Sequence, residues 1–387
     1  MKKTIIKICS VLLFACITIC SGAMRGFGDV SAEYNASITA KSALLMDYNS
    51  GTIVYQKNAD AKLPIASMVK LMTIYLTFKN IEDGSLKLSQ KIKTTENAAG
   101  MGGSQVFIDP YVEYSVEDLL KSVIMASAND ASVALAEAIS GSESCFVDLM
   151  NKTAKSLKMD NTLYANATGL PSPEQYSTAK DCAIILKNVL SFKDYHKYSN
   201  VWMDEIVHPS GRKTELVNTN KLIRYFDGCD GGKTGSTSEA GYCLTASAQR
   251  NNMRLISVII GSKTGKDRFK ESTELLNYGF ANYENKELVK ANQVLKTVKT
   301  SKCKEESAEI VAVNGYFAFD KKGQKSQYEV KYNLPEKISA TKPGDVVGTI
   351  SIQKNGEEVA VINLTVKTEV KAKGFADGFK QIIKSWY

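Results

Sequence analysis

The sequence predicts an α+β fold that is followed by a small all-β domain and a C-terminal amphipathic helix. Three observations carry this prediction. Strand-like segments stand at both ends of residues 33–285, and segments with helical periodicity lie between them. Short alternating segments fill residues 290–369. The last residues, 371–387, return to a helical pattern.

The first strands are predicted at residues 41–55, where two short apolar segments flank a turn at residues 49–51. Pro64 then precedes a helix that we expect to begin at Ser67 and to end near Lys79. Apolar residues recur along it at helical spacing, so one face of this helix should be buried.

Polar residues mark the start of the next helices. Ser115 is followed three residues later by Asp118, and this pair looks like a capping box that opens a helix through Met125. Either Asn129 or Asp130 can cap the helix that comes next. The helices that follow are predicted at residues 131–139, 143–157 and 179–190.

The second half of the chain returns to strands. Residues 241–247 and 255–260 are predicted as neighbouring strands, residues 266–268 as a turn, and residues 270–283 as a helix. Further on, Asn355-Gly356 separates two apolar segments, which is a strong signal for a tight hairpin. Two more strand segments of the β-domain are expected at residues 309–319 and 328–332.

Both termini carry features of an exported protein. Three lysines precede an apolar run at residues 8–19, which predicts an export signal that is cleaved after Ala23 or near Ala32. At the other end, residues 371–387 place apolar and aromatic side chains on one helical face and lysines on the remainder. Such a helix suits the surface of a membrane, although it could also dock on the β-domain. We therefore expect the protein at the outer face of the cytoplasmic membrane.

Composition limits the chemistry. The 387 residues include only two histidines, which excludes a zinc site made of several histidines and makes a Ser-His-Asp hydrolase improbable. Three of the eight cysteines lie in the export signal, so an odd number remains and at least one stays unpaired in a monomer. The net charge of +8 favours anionic surfaces without indicating nucleic acid.

Three short motifs far apart in the chain carry the chemistry. Ser67 and Lys70 are three residues apart at a helix start, so their side chains should be neighbours. For Lys70 to accept a proton from Ser67, its pKa must fall well below about 10.4. Burial and a second cation, Lys233, could both lower it. Taken alone, Ser67 would be interpreted as a helix cap and Lys70 as a solvated surface lysine.

The other two motifs supply polar groups around this pair. Ser127 could relay a proton to a leaving amine, and the Asn129 amide could hold either a substrate carbonyl or Lys70. Lys233-Thr234-Gly235 leads into an apolar strand, and Gly235 should let a substrate backbone approach closely. A second Lys-Thr-Gly at Lys263 is expected to lie in a turn.

The chain resembles the D-alanyl-D-alanine carboxypeptidase family of low-molecular-mass penicillin-binding proteins. The three motifs are the signature that this family shares with class A β-lactamases. The resemblance covers residues 43–283 and includes residues 63–70, 126–131, 166–170, 231–235 and 240–242. It implies a penicillin-binding, β-lactamase-like domain with an antiparallel sheet and a helical block, then the β-domain and a membrane-tethering helix.

The resemblance also implies roles for single residues. Ser67 becomes the acylated nucleophile, Lys70 its base and Ser127 the proton shuttle. The implied substrate-binding residues are Asn129, Lys233, Thr234, Gly235, Ser236 and Arg268. The backbone N–H groups of Ser67 and Ser236 would form the oxyanion hole. Members of the family often carry a larger residue at the position of Ser236.

The implied reaction removes the terminal D-alanine from peptidoglycan stem pentapeptides through an acyl-enzyme, with β-lactams as acylating inhibitors and no metal or organic cofactor. A class A-like β-lactamase is one alternative, although the nearest glutamate, Glu174, lies in an unsuitable setting beside Pro171 and Pro173. A transpeptidase or endopeptidase on the same scaffold is another. A non-catalytic penicillin-sensing or wall-binding protein is the third.

Overall fold

The structure is a computed structural model, and it describes residues 37–374. The predicted export signal lies outside this range, as do residues 375–387 of the predicted C-terminal helix. Residues 371–374 are described and are not helical, because Ala372 forms a β-bridge with Cys303. Among the described residues, no helix combines the length and the apolar character needed to cross a membrane.

Helices and strands alternate in the first part of the chain, and strands dominate after residue 282. The helices are α1 (Lys70–Glu82), α2 (Glu96–Ala99), α3 (Val116–Met125), α4 (Asn129–Ser140), α5 (Glu143–Ser156), α6 (Ala179–Val189), α7 (Tyr195–Ser199), α8 (Leu222–Tyr225) and α9 (Gly265–Asn282). The strands are β1 (Ser42–Asp47), β2 (Ile53–Lys57), β3 (Lys91–Lys93), β4 (Glu113–Ser115), β5 (Met203–Val207), β6 (Lys213–Val217), β7 (Cys229–Thr237), β8 (Gly241–Arg250), β9 (Met253–Ser262), β10 (Tyr283–Val289), β11 (Val294–Thr300), β12 (Ser307–Ala312), β13 (Tyr316–Lys321), β14 (Tyr328–Asn333), β15 (Lys337–Ile338), β16 (Gly348–Lys354) and β17 (Glu357–Val366).

A five-stranded antiparallel sheet organises the first region. Its strand order is β2-β1-β9-β8-β7, so β7 forms one edge. Successive side chains of the inner strands point to opposite faces of the sheet, and both faces are covered. Leu44 packs into a core with the helical block, whereas Leu45 packs into a second core against α9. The predicted α+β arrangement is confirmed.

The β-region is a separate six-stranded sheet with the order β14-β16-β17-β12-β11-β15. Strands β10 and β13 pair beside it, and β10 begins directly after α9. The hairpin predicted at Asn355-Gly356 is confirmed: both residues have positive φ, 51° and 87°, as a tight hairpin turn requires. Ile350, Ile352 and Leu364 form the centre of its apolar core.

Most predicted elements appear with boundaries shifted by a few residues. The cap at Ser115 is confirmed, because its Oγ accepts a hydrogen bond from the Asp118 backbone N–H at 3.1 Å. The first hairpin lies where it was predicted, with β1 paired to β2. The five cysteines within residues 37–374 are all free thiols, and Cys145 is exposed.

Three helix starts were predicted wrongly. Ser67 lies in a 3₁₀ turn, Ala66–Val69, and the α-helix begins only at Lys70. Neither Asn129 nor Asp130 caps α4, because α4 already begins at Asn129 and both side chains are used elsewhere. The turn predicted at residues 266–268 is the first turn of α9, which Thr264 caps by accepting from the Asp267 N–H at 3.1 Å.

Candidate active site

The Ser67 hydroxyl lies next to the Lys70 amine. Ala66 adopts a left-handed backbone conformation with φ of 48°, which starts the 3₁₀ turn that carries Ser67. Lys70 follows as the first residue of α1, and its Nζ lies 3.1 Å from Ser67 Oγ. Ser67 is half-buried, while Lys70 is fully buried. Ser67 is therefore partly accessible from outside, and the neighbouring Lys70 is not.

Two further oxygens surround the Lys70 amine. Nζ donates to Asn129 Oδ1 at 2.6 Å and to the Thr168 carbonyl. The Asn129 amide nitrogen donates to the Gly102 carbonyl at 2.7 Å, so the amide oxygen faces Lys70. A neutral amine has two N–H donors and one lone pair. Since Asn129 Oδ1 and the Thr168 carbonyl can only accept, the lone pair is left to face the Ser67 hydroxyl.

Burial and a neighbouring cation both favour the neutral form of Lys70. Burial lowers the pKa of Lys70 well below its ordinary value, and the positive charge of Lys233 lowers it further. The buried carboxylate of Asp130 acts in the opposite direction. Burial, with a contribution from Arg268, also lowers the pKa of Lys233, to about 7. The site therefore holds two buried amines whose protonation states influence each other.

Ser127 lies between α3 and α4 in a strained conformation. Its φ is 62°, in the left-handed region that a serine rarely occupies, and the residue is 4% exposed. Such strain costs about 1–3 kcal/mol and is held in place by the surroundings. Here, the Ala128 N–H donates to the Ser122 carbonyl and the Asn129 N–H donates to the Ser104 carbonyl.

The Lys233-Thr234-Gly235 motif lies on the edge strand β7. The sequence suggests that Gly235 makes room for substrate, but the structure gives a different reason for a glycine. A Cβ at residue 235 would lie 2.7 Å from the Ile65 carbonyl oxygen and 2.9 Å from the Ser67 nitrogen. The missing side chain therefore lets β7 pack directly against the segment that carries Ser67.

The remaining predicted residues lie on or beside β7. Thr234 is buried and Ser236 is exposed. Arg268, on the first turn of α9, donates from Nη1 to the Gly235 carbonyl at 3.0 Å and to the Cys243 carbonyl at 3.2 Å. In the second Lys-Thr-Gly, Lys263 is exposed and Thr264 serves as the cap of α9. The structure thus connects Arg268 to the first motif.

Sequence reasoning from local patterns missed two supports of the site. The first is Asp130, which is fully buried and whose carboxylate accepts hydrogen bonds from the backbone N–H groups of Val106 and Ile108. Its only signal in the sequence is its position after Asn129, which suits a helix cap equally well. The carboxylate fixes the loop that leads to Gly102, and its charge raises the pKa of Lys70 against the effect of burial.

The second support is the loop at residues 166–170, which the sequence marks only through the family resemblance. Asn166 Oδ1 accepts from the Gly169 N–H at 2.7 Å, which folds the loop tightly. Gly169 has φ of 82°, and a Cβ there would lie 2.1 Å from the Ala66 carbonyl oxygen. Two glycines, Gly169 and Gly235, therefore contact the backbone around Ser67.

Comparison with known proteins gives matches over both regions. The family profile described as D-alanyl-D-alanine carboxypeptidase matches residues 29–264. The profile described as penicillin-binding protein 5, C-terminal domain, matches residues 283–372. The D-alanyl-D-alanine carboxypeptidase DacF of Bacillus subtilis is 41% identical over 350 residues, which are 90% of this chain and 90% of DacF.

Solved structures of penicillin-binding proteins are also similar to this chain. Penicillin-binding protein 5 from Haemophilus influenzae superposes with a TM-score of 0.71 at 34% identity, covering 87% of this chain and 99% of that one. Penicillin-binding protein D2 from Listeria monocytogenes in its ampicillin-bound form gives a TM-score of 0.57 at 30% identity. That match covers 64% of this chain and 100% of the Listeria chain.

Proposed function

The chain belongs to the D-alanyl-D-alanine carboxypeptidase family and is a serine-type hydrolase, and we propose that Ser67 is its acylated nucleophile. The observation that carries the proposal is the 3.1 Å contact between Ser67 Oγ and the Nζ of a fully buried lysine. A buried lysine with a lowered pKa is a base that can act near neutral pH.

We infer the following first step. Lys70 takes the proton of the Ser67 hydroxyl, and Oγ attacks the carbonyl carbon of the peptide bond between the last two D-alanines. The backbone N–H groups of Ser67 and Ser236 stabilise the oxyanion that forms. Lys233, Thr234 and Arg268 bind the terminal carboxylate, and the Asn129 amide orients both Lys70 and the substrate.

The tetrahedral adduct then expels D-alanine. The C–N bond breaks, and the leaving amine receives, through Ser127, the proton that Lys70 took from Ser67. Water subsequently attacks the acyl-enzyme, with Lys70 again accepting a proton, and the shortened stem peptide leaves with Ser67 restored. No metal or organic cofactor enters either step.

Penicillins should acylate the same serine, since their strained amide presents a carbonyl and a carboxylate in a similar arrangement. The ampicillin-bound Listeria neighbour supports this part of the proposal. The β-lactamase alternative gains no support from Glu174, which is exposed. A carboxypeptidase of this kind should therefore hold its penicillin adduct for long periods.

The test is to measure D-alanine release from a stem pentapeptide and to locate the penicillin adduct by mass spectrometry of a protease digest. Ser67→Ala should abolish both signals. Ser210→Ala is the matched control, because Ser210 also begins a Ser-x-x-Lys sequence but is exposed. D-alanine release by Ser67→Ala at the wild-type rate would overturn the assignment. A product in which cross-linked peptides are split would favour the endopeptidase alternative.

We propose the domain organisation that the sequence predicts, with one change: an export signal at residues 1–23, a catalytic domain at 33–285, a β-domain at 290–369 and a membrane-anchoring helix within residues 375–387, because residues 371–374 are not helical. The lysines and the apolar face of the last segment support binding to a membrane surface. For an exported protein, this surface is the outer face of the cytoplasmic membrane. Truncation after Gly374 should abolish binding to anionic lipid vesicles and leave hydrolysis of soluble peptides intact. Unchanged vesicle binding would contradict the anchor.

A further inference from the structure

A cavity of about 580 Å³ lies between α8 and α9, among residues that the proposed function does not use. We propose that this cavity is a second binding site, for a sugar that carries a phosphate group. The inference goes beyond the proposed function and does not depend on the chemistry at Ser67. The lining residues that carry the argument are Lys221, Tyr225, Lys266, Phe269, Lys270 and Glu274.

The cavity is separate from the Ser67 site, although α9 borders both. Arg268 extends from the first turn of α9 to the Gly235 carbonyl, whereas Lys266 and Lys270 line the cavity. An α-helix has 3.6 residues per turn, so residues two positions from Arg268 lie on the opposite side of the helix. A ligand in the cavity therefore leaves the path of a peptide to Ser67 open.

Two of the three lysines in the cavity have no anionic partner. The Lys270 ammonium lies 3.8 Å from the Glu274 carboxylate. Lys221 and Lys266 are exposed and form no ion pair or side-chain hydrogen bond within residues 37–374. A phosphate monoester carries about −1.5 to −2 charges at neutral pH, so it matches two unpaired ammonium groups, whereas one carboxylate would leave one of them unpaired. Lysine binds phosphate as a compact point charge.

The start of α9 adds to the positive potential. This helix has 18 residues, and Gly265 and Lys266 of its first turn both border the cavity. The N–H groups of a first turn have no acceptor within the helix, and the helix dipole has its positive end there. The Asp267 carboxylate does not line the cavity and accepts a hydrogen bond from the Thr264 hydroxyl at 2.6 Å. An anion in the cavity therefore meets positive charge from side chains and from the helix.

Tyr225 provides a surface for the sugar ring. It is 71% exposed, and the Trp202 ring lies 6.2 Å away in an edge-to-face arrangement. The Arg224 guanidinium lies 5.7 Å from the centre of the Tyr225 ring and helps to hold it. The C–H groups on one face of a sugar ring can pack on such an aromatic ring, while the phenol hydroxyl bonds to the sugar hydroxyl groups.

The concave shape favours a small ligand over a membrane surface. Binding sites for small molecules have volumes of about 300–1,000 Å³ and are lined by apolar residues with a few polar groups. Here Leu222 is buried and Phe269 is half-buried, and both line the cavity. Basic and aromatic side chains that bind a bilayer insert into it from an exposed face instead.

The experiment measures the binding of three probes to the full chain by isothermal titration calorimetry: glucose 6-phosphate, glucose and inorganic phosphate. Wild type should bind the sugar phosphate about tenfold more tightly than either part alone. The double variant Lys221→Met, Lys266→Met should weaken this binding by about three- to tenfold, as the loss of two exposed ion pairs predicts. Tyr225→Ala should weaken the binding of glucose 6-phosphate and leave that of phosphate unchanged.

Lys263→Met is the matched control, because Lys263 is exposed near the same helix start but does not line the cavity. It should leave all three affinities unchanged, and every variant should release D-alanine from a soluble pentapeptide at the wild-type rate. Prior acylation of the protein by penicillin should not change the binding of glucose 6-phosphate. Loss of binding on acylation would place the ligand at Ser67 and overturn the inference.

Three other results would also overturn it. The sugar phosphate could bind no more tightly than phosphate, or Lys263→Met could weaken binding as much as the double variant does. In the third, the double variant would lose binding to vesicles of phosphatidylglycerol and phosphatidylcholine but keep that of glucose 6-phosphate, which would identify a membrane contact. Failure of wild type to release D-alanine would count against the proposed function alone, since these binding measurements do not involve the reaction.

Discussion

The two sheets of this molecule have opposite interiors. Around the five-stranded sheet, Lys70, Lys233 and Asp130 are buried among apolar residues. In the six-stranded sheet region the core around Ile350 is apolar, and among described residues 283–374 the buried polar side chain is Thr365. Burying a charge is costly unless it is paired and hydrogen-bonded. Asp47, Asp181 and Glu271 are also buried in the first region, away from Ser67, and each accepts hydrogen bonds. The difference teaches that this chain buries charge where polar partners surround it and omits it where the core is apolar throughout.

The variant with the largest expected effect is Lys70→Met, which replaces a buried amine with an apolar side chain of similar length. D-alanine release should fall by about 10³-fold, the usual loss when a general base is removed. Stability should change little, because the desolvation cost of the amine disappears while Asn129 Oδ1 and the Thr168 carbonyl lose a hydrogen-bond donor. Peptide hydrolysis and thermal unfolding followed by circular dichroism measure the two effects. A large loss of stability would show that Lys70 also supports the fold.

A substitution that creates a cavity in the apolar core of the six-stranded sheet should lower stability and leave activity unchanged. Ile350→Ala should lower the free energy of unfolding by about 2–5 kcal/mol, because Ile350 is fully buried. The kcat/KM for a soluble pentapeptide should not change. Ile74→Ala is the matched variant on α1, one turn after Lys70, and should lower both stability and activity. Loss of activity in Ile350→Ala would show that the two regions are coupled.

Glycine substitutions sharpen the comparison at the level of the backbone. Gly169→Ala should cost about 2 kcal/mol or more and reduce activity, because the new Cβ meets the Ala66 carbonyl in a left-handed conformation. Gly356 has φ of 87°, and no atom lies within 4 Å of the place that a Cβ would take. Gly356→Ala should therefore cost only about 1 kcal/mol, and its activity should match wild type in the same assays.

The smallest effect concerns pH. In the proposed function acylation requires neutral Lys70, so the rate of acylation should rise with pH through the pKa of Lys70. In Lys233→Met the like charge is lost, the pKa of Lys70 should rise, and the rising limb should move to higher pH. The rate of penicillin acylation against pH measures this. Lys263→Met, in the exposed second Lys-Thr-Gly, is the control and should not shift the rising part of the pH–rate curve. If Lys233→Met does not shift it either, the charge of Lys233 does not influence the pKa of Lys70.

Local sequence signals predict the parts of the fold that local interactions decide. The cap at Ser115 and the hairpin at Asn355-Gly356 each depend on a few adjacent residues, and both predictions are confirmed. The start of α9 is missed although Thr264 and Asp267 form the same capping pattern as Ser115 and Asp118, because the charged residues 266–268 are interpreted as a turn.

The supports of the site cannot be predicted in this way. The Thr168 carbonyl that accepts a hydrogen bond from Lys70 lies 98 residues away in the chain, and no local pattern connects them. The sequence allows the Asn129 amide either of two partners, and only the folded arrangement shows its oxygen on Lys70. Long-range contacts of backbone atoms leave little trace in the order of side chains.

The close contacts of Gly169 and Gly235 with the Ser67 backbone have a consequence for antibiotic resistance. A side chain at either position would displace the backbone around Ser67, which drug and substrate both need in the proposed function, so a substitution there should reduce drug binding and activity together. Escape mutations would have to arise at the outer rim, where Pro171 and Glu239 are exposed.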